Sequence, residues 1–335
     1  MHRRLSPAVA LVLLAVACGD DRTNPFNRSN VTRAPSADAV LLFVSGSWAS
    51  GFGQPRELFA LSSDGSKLER LTNCTQASSP CDFLQVAPSV DRGRVVAVRS
   101  AAGAEEGTSA LYFMDLARSV ETLVVPRRRV GSVDWSPDGS FLLYTSITED
   151  SGLEDLFYSF PDGTSDENLT QTRAIRERSP RIDPLSRTAV FERIDETGMG
   201  RIYLFSQTPV TAGPAAGPAL PDSPYVVGAD ADPVLSPNAV EVAFRRLTGL
   251  GNDGLGTWDV LRVRVDGSGL QTIATGPLFR GAPDWGTRGV VFVETDTVTS
   301  ESRLVVVQPD GSGRTVLRTE DAGFRMAAPR WLRGS

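Results

Sequence analysis

The chain has 335 residues, with 34 Lys and Arg against 40 Asp and Glu and a formal net charge of −6, a balance that argues against a nucleic-acid binder. Its one histidine, His2, lies in residues 1–17, which read as an export signal, so the processed chain carries no imidazole. That excludes Ser-His-Asp triads, His-ligated zinc and His-dependent lyases, and the single lysine, Lys67, makes a lysine nucleophile a poor candidate.

In chain order, Arg3 and Arg4 precede an apolar run from Ala8 to Ala17 that is too short to span a bilayer as a mature helix. The run ends in Leu14-Ala15-Val16-Ala17-Cys18, which resembles the bacterial lipoprotein box, with Ala15 where Leu is usual. The resemblance implies that Cys18 is lipidated and becomes the new N-terminus; the alternative is an ordinary cleaved signal with an incidental cysteine. Residues 18–36 are polar and turn-rich and read as a flexible tether. Cys74 and Cys81 remain, in TNCTQASSPCDF, and an even pair this close in an exported chain is expected to form a disulfide. A metal site would need further soft ligands that the processed chain lacks, so neither metal nor cofactor is expected.

Residues 37–335 show short apolar runs separated by Gly, Pro, Asp and Ser clusters, with no sustained helical period. One element recurs at Pro88-Ser89-Val90, Val133-Asp134-Trp135, Pro180-Arg181-Ile182, Pro233-Val234-Leu235, Pro283-Asp284-Trp285 and Pro329-Arg330-Trp331, about 45 to 53 residues apart. A polar turn and a strand follow each of the first five copies. A second element, strand, turn, strand, carries Asp64-Gly65, Asp162-Gly163, Asp266-Gly267 and Asp310-Gly311 at its turns, with a degraded copy at RIYLFSQTPVTAGPAAGPAL. The last repeat, AAPRWLRGS, is a first strand without followers, and AVLLFVSGS is a second strand without a predecessor. The expected fold is therefore all-β: a six-bladed β-propeller of four-stranded antiparallel blades, closed by pairing of the N- and C-terminal strands, which removes free sheet edges.

The repeats, above all Trp135-Ser136-Pro137-Asp138-Gly139, resemble the TolB-type, WD-like propeller repeat of bacterial envelope proteins. The resemblance covers roughly residues 37–335 and implies a binding platform for envelope partners. TolB also carries an N-terminal α/β domain, for which residues 18–36 leave no room. Propellers of the prolyl-peptidase type work beside a hydrolase domain, and oligogalacturonate-lyase-like propellers rely on metal-binding histidines; neither is in this sequence.

Asp138-Gly139, beside Trp135, reads as a turn rather than an acid site, because a turn recurs in every blade. Function is then expected in the loops at the opposite end of the strands. The blade-to-blade loops supply Arg127, Arg128, Arg129, Arg173, Arg176, Arg178, Arg280 and Arg325, whose planar forks suit carboxylate or phosphate. The competing reading is solvated loop charge paired to neighbouring acids. Trp48 and Phe52 offer aromatic faces for a sugar or a partner, or fold back over the first blade. The acid clusters Glu105-Glu106, Glu149-Asp150, Asp195-Glu196 and Asp230-Ala231-Asp232 lack calcium-loop spacing. Trp135, Trp285 and Trp331 read as packing residues between blades.

The sequence thus points to a monomeric, lipid-anchored envelope propeller that binds a protein partner or an anionic glycan and catalyses nothing. The alternatives are a carboxylate-based polysaccharide hydrolase or lyase on the same scaffold, and a purely structural or signalling module.

Overall fold

A computed structural model describes residues 30–47, 55–74, 81–101, 108–125, 129–185, 187–206, 208–212, 216–220, 224–251, 255–321 and 324–333. All of its regular structure is antiparallel strand. The first blade contains β1 (Ala39–Ser47), β2 (Glu57–Ser62) and β3 (Leu68–Arg70). The second holds β4 (Cys81–Pro88), β5 (Arg94–Ala101), β6 (Ala110–Asp115) and β7 (Val120–Val125), and the third β8 (Val130–Trp135), β9 (Leu142–Ile147), β10 (Glu154–Ser159) and β11 (Glu167–Asn168). The fourth has β12 (Arg176–Ile182), β13 (Ala189–Ile194) and β14 (Gly200–Leu204). The fifth runs β15 (Asp230–Leu235), β16 (Glu241–Gly249), β17 (Thr257–Arg264) and β18 (Gln271–Ala274). In the sixth, β19 (Phe279–Arg280) and β20 (Asp284–Gly286) both pair with β21 (Gly289–Thr295), followed by β22 (Ser302–Val307) and β23 (Thr315–Glu320). Finally β24 (Phe324–Trp331) supplies the inner strand of the first blade, with Leu41 opposite Trp331, so the ring closes as the repeats require.

Among the described residues the fourth blade has no regular outer strand, in keeping with its degraded repeat. A bridge from Tyr203 to Pro209 and hydrogen bonds from Val210 N to Ile202 O (2.8 Å) and from Ile202 N to Thr211 Oγ1 (3.1 Å) stand in its place.

The second strands are apolar on both faces because each blade is sandwiched between two others. All seven residues of β21 are buried, and Val291 packs with Leu41 and Phe43 of the first blade while Phe292 packs with Val234 and Ala243 of the fifth. Trp135 does the same between blades two and three, edge-on to Phe113 at 6.0 Å between ring centroids.

The Asp-Gly turns have a packing reason as well as a conformational one. Gly163 has φ of 83°, and a Cβ there would strike the carbonyl oxygen of Val124 in the preceding blade. Asp138-Gly139 makes the β8–β9 turn. Gly139 N donates to Ser136 O (2.9 Å), and Asp138 Oδ1 accepts from Ser140 N (3.1 Å) and Ser140 Oγ (2.7 Å). Its carboxylate is occupied by its own turn.

One repeat needs a shift of register. Ser89 N donates to Arg94 O (2.9 Å) as Ser136 N donates to Phe141 O (2.9 Å), so Val86-Ala87-Pro88, and not Pro88-Ser89-Val90, is the counterpart of Val133-Asp134-Trp135. The proline misled the alignment, since here it fills the place of Trp135.

Cys74 and Cys81 form the expected disulfide. Residues 30–36, read in the sequence as the end of the tether, lie against the first two blades. Thr32 N donates to Leu71 O (2.8 Å), Asn30 N to Glu121 Oε2 (3.2 Å), and Arg33 pairs with Glu69 at 2.8 Å.

Candidate functional site

The innermost strands converge on a central channel with two ends. One carries the β8–β9 turn and its equivalents and is called the turn face; the other, where the chain passes between blades, is the loop face.

On the loop face, the arginines singled out in the sequence have different surroundings. Arg127, Arg128, Trp48, Phe52 and Cys18 lie outside the described residues. Arg129 and Arg173 are exposed, and Arg325 is half-buried. Arg178 Nε donates to Glu154 Oε1 (2.9 Å), and Arg176 lies 3.7 Å from the same carboxylate. Arg280 is 2% exposed and donates to Glu294 (3.2 Å) and to the carbonyl oxygens of Trp258 (2.9 Å), Gly276 (3.1 Å) and Thr275 (2.7 Å). Arg176 and Arg178 meet at Glu154, whereas Arg280 is locked into the join between blades five and six.

Beside them, Glu192 is buried. Burial and the nearby Asp232 raise its carboxyl to about 8, against the opposing pull of Tyr225, Arg178 and Arg245. Burial also raises Glu177 to about 7, with Asp155 adding to the rise and Thr172 and Arg193 opposing it.

On the turn face, the repeat position between Pro and the aromatic brings Arg330, Ala87, Asp134, Arg181, Val234 and Asp284 around the channel from blade one to blade six. The order is Arg, small, Asp, taken twice. Each Arg reaches past the small residue to the Asp beyond it: Arg330 pairs with Asp134, and Arg181 with Asp284. Each Asp also accepts a backbone N–H from the next blade, Asp134 from Ile182 (2.8 Å) and Asp284 from Trp331 (2.7 Å). The ring is therefore stitched both across the channel and around it.

Burial alone would raise the Asp134 carboxyl, but Arg330, Arg181 and Arg333 hold it below the usual aspartate value. Arg330 is lowered to about 10 by burial and by Arg181, with Asp134 and Asp284 offsetting part of the fall.

Above this floor opens a cavity of about 340 Å³. Its collar is formed by the third residue after each floor position: Val90, Pro137, Pro184, Pro237, Thr287 and Arg333. Trp285, Trp331 and Arg288 also line it. Four arginines and two aspartates thus face one cavity, and the aspartates are already engaged. Arg181 Nε lies 3.8 Å from Asp134 without a hydrogen bond, and Arg333 donates from one nitrogen to Trp135 O (2.7 Å) while its other terminal nitrogen has no partner among the described residues. Below the floor the channel narrows to a pocket of about 30 Å³ among Pro180, Pro233, Pro283 and Pro329, room for about one water.

This cavity lies at the opposite end from the loops to which the sequence pointed. Its charged residues were visible as a variable position of the inner-strand repeat, where Asp or Arg stands between apolar neighbours in Val133-Asp134-Trp135, Pro180-Arg181-Ile182, Pro283-Asp284-Trp285 and Pro329-Arg330-Trp331.

No family model matches the chain, and no curated protein matches its sequence. Solved structures do match its fold. TolB from Acinetobacter baumannii aligns with a TM-score of 0.67 at 16% identity over 90% of this chain and 68% of that one. The fold is a TolB-type propeller. A structure described as TolB from Agrobacterium tumefaciens aligns at 0.59 and 16% identity over 88% of this chain and 98% of its own. The TolB-type architecture is shared more widely: an oligogalacturonate lyase in complex with manganese aligns at 0.51 and 13% identity, over 87% of this chain and 76% of the lyase.

Proposed function

We propose that the protein is a non-catalytic binding platform of the cell envelope, anchored through lipid on Cys18, which docks a protein partner at the turn-face cavity. The observation that carries this reading is the construction of that cavity, a collar apolar at four of its six positions over a floor whose carboxylates are engaged. Asp134 and Asp284 each give one oxygen to an arginine and the other to a backbone N–H, so neither has the free oxygen of a general base or nucleophile. What remains unengaged is cationic. A collar of Val90, Pro137, Pro184 and Pro237 suits a peptide segment better than a hydroxylated glycan.

The glycan hydrolase or lyase keeps one point in its favour, the scaffold shared with a lyase. Of the carboxyl pair best separated in protonation, however, Glu192 is buried, and Asp232, paired with Arg245 at 2.6 Å, lines only the small pocket of about 30 Å³ among the described residues, too small for a sugar.

Cross-linking in intact cells, followed by identification of what co-purifies, tests the reading. Val90→Asp, at a residue 52% exposed on the collar, should abolish capture and leave folding intact. Arg173→Ala on the loop face should leave capture unchanged; the reverse pattern would move the docking site to the loops. Cys18→Ala should release the protein from the membrane, and unchanged processing and retention would remove the anchor from the proposal.

A further inference from the structure

The join between blades three and four is built unlike its neighbour. Among the described residues its apolar cluster is Leu143, Ile182 and Ala189, with Phe141 and Tyr158 half-buried beside it, whereas the cluster joining blades two and three gathers twelve buried residues. Towards the loop face the seam is filled by polar groups. Asp155 on β10 of blade three and Glu177 on β12 of blade four are 1% and 0% exposed. Between them lies the hydroxyl of Thr172, on the connection from one blade to the next, 3.1 Å from Asp155 Oδ1 and 2.9 Å from Glu177 Oε2.

The two carboxyls are not equally supplied with donors. Asp155 also accepts from Asn168 Nδ2 (2.7 Å) and Thr172 N (3.2 Å). Glu177 has the Thr172 hydroxyl, for which the Ile175 carbonyl oxygen competes at 2.8 Å, and Thr170 Oγ1 at 3.5 Å. Arg193 on β13, whose guanidinium lies over Phe191 and Tyr203, is 3.3 Å from Glu177 Oε1 without a hydrogen bond, and the arginines flanking Glu177, Arg176 and Arg178, are turned to Glu154. A proton on Glu177 completes the set: Glu177 donates to Thr172 Oγ1, and the Thr172 hydroxyl donates onward to Asp155 or to Ile175 O. Without it, two buried carboxylates face each other across the seam. Burial and the facing Asp155 accordingly raise the Glu177 carboxyl from 4.5 to about 7.

The same seam runs under the turn-face cavity. Pro137 of blade three and Pro184 of blade four stand on either side of it in the collar, and two amides of blade four donate across it, Ser179 N to Ser132 Oγ (3.0 Å) and Ile182 N to Asp134 Oδ2 (2.8 Å).

We propose that the join between blades three and four is a proton-dependent latch, closed while Glu177 carries its proton and loosened when it ionises, so that the spacing of Pro137 and Pro184 at the cavity mouth follows pH. This goes beyond the docking reading and holds whether or not the cavity receives a partner. Because the closed seam holds the Glu177 proton more tightly than the open one, opening becomes easier as pH rises from 4.5 to about 7 and levels off above.

The test is amide hydrogen exchange of the intact protein, followed by NMR at about pH 5.5 and about pH 7.5 and corrected for the pH dependence of exchange at an open amide. The opening constants reported by Ser179 N–H and Ile182 N–H should rise at least about tenfold between the two conditions and be insensitive to dilute urea, as local opening is. Trp331 N–H, which crosses the join of blades six and one to Asp284, should exchange more slowly at both pH values and be accelerated by urea. Glu177→Gln, a neutral side chain of the same shape, should abolish the rise at Ser179 and Ile182; should that variant be too unstable to measure, Asp155→Asn, which removes the facing charge, should shrink it. The proposal is overturned by the absence of a rise, by a rise undiminished in the variant, or by seam amides that share the rate and urea sensitivity of Trp331, since the opening is then that of the whole ring.

Discussion

The two ends of the channel use the same residue types to different effect. At the loop face, Arg178 and Arg280 are drawn into carboxylates and backbone carbonyls of the blades they join, and Glu192 is buried deeply enough to favour its neutral form. At the turn face, Arg330 and Arg181 are also ion-paired, yet the pairs form the floor of an open cavity whose lining adds two further cations, Arg288 and Arg333. An arginine in a loop is thus weak evidence for a site. What matters is whether neighbouring strands have already satisfied its donors and whether space remains in front of them.

The sharpest way to break this contrast is at Asp134. Asp134→Ala leaves Arg330 without its partner in a buried setting and removes the acceptor for Ile182 N, so a loss of about 3–5 kcal/mol in unfolding free energy is expected by denaturant titration. A loss below about 1 kcal/mol would show that the floor pairs do not hold the ring together.

Gly163→Ala comes next. It forces a Cβ onto a left-handed residue and into the Val124 carbonyl, and should lower stability by about 1–3 kcal/mol. The same substitution at Gly152, which is also left-handed (φ 69°) but has open space around it, should cost less, which separates packing from backbone strain.

The loop face predicts a pH dependence of defined sign. The Glu192 carboxyl is raised from 4.5 to about 8, so between those values the folded chain holds a proton that the unfolded chain has lost. Stability from this group therefore falls as pH rises from about 4.5 through about 8. Glu177, raised to about 7, acts in the same direction. Glu192→Gln should flatten the decline of melting temperature across this window by several degrees; an unchanged pH profile would place the ionisation elsewhere. The smallest effect belongs to Arg173→Ala, expected to stay within about 0.5 kcal/mol because the side chain is exposed.

Much of the fold was legible because propeller repeats are local. Asp138-Gly139, Asp162-Gly163 and their relatives mark turns by conformational need, and the apolar second strands mark burial on both faces. Even the missing outer strand of blade four shows in its degraded repeat. The one misplaced copy, at Pro88, failed because a proline outside the motif imitated the one within it; the hydrogen bond from Ser89 N to Arg94 O identifies the turn and restores the register.

The site was less legible. Arg181, Arg330, Asp134 and Asp284 stood in plain view within the repeats, but a repeat aligned for its constant residues draws attention away from the variable one. Their pairings join Asp134 to Arg330 and Arg181 to Asp284, positions remote in the chain that only ring closure brings into contact. Composition and repeat spacing determined the strands, the turns, the disulfide and the number of blades, since each depends on residues close in sequence. Which arginines are engaged by their neighbours and which still face open space was decided by the tertiary structure alone, because burial and ion pairing are set by all six blades at once.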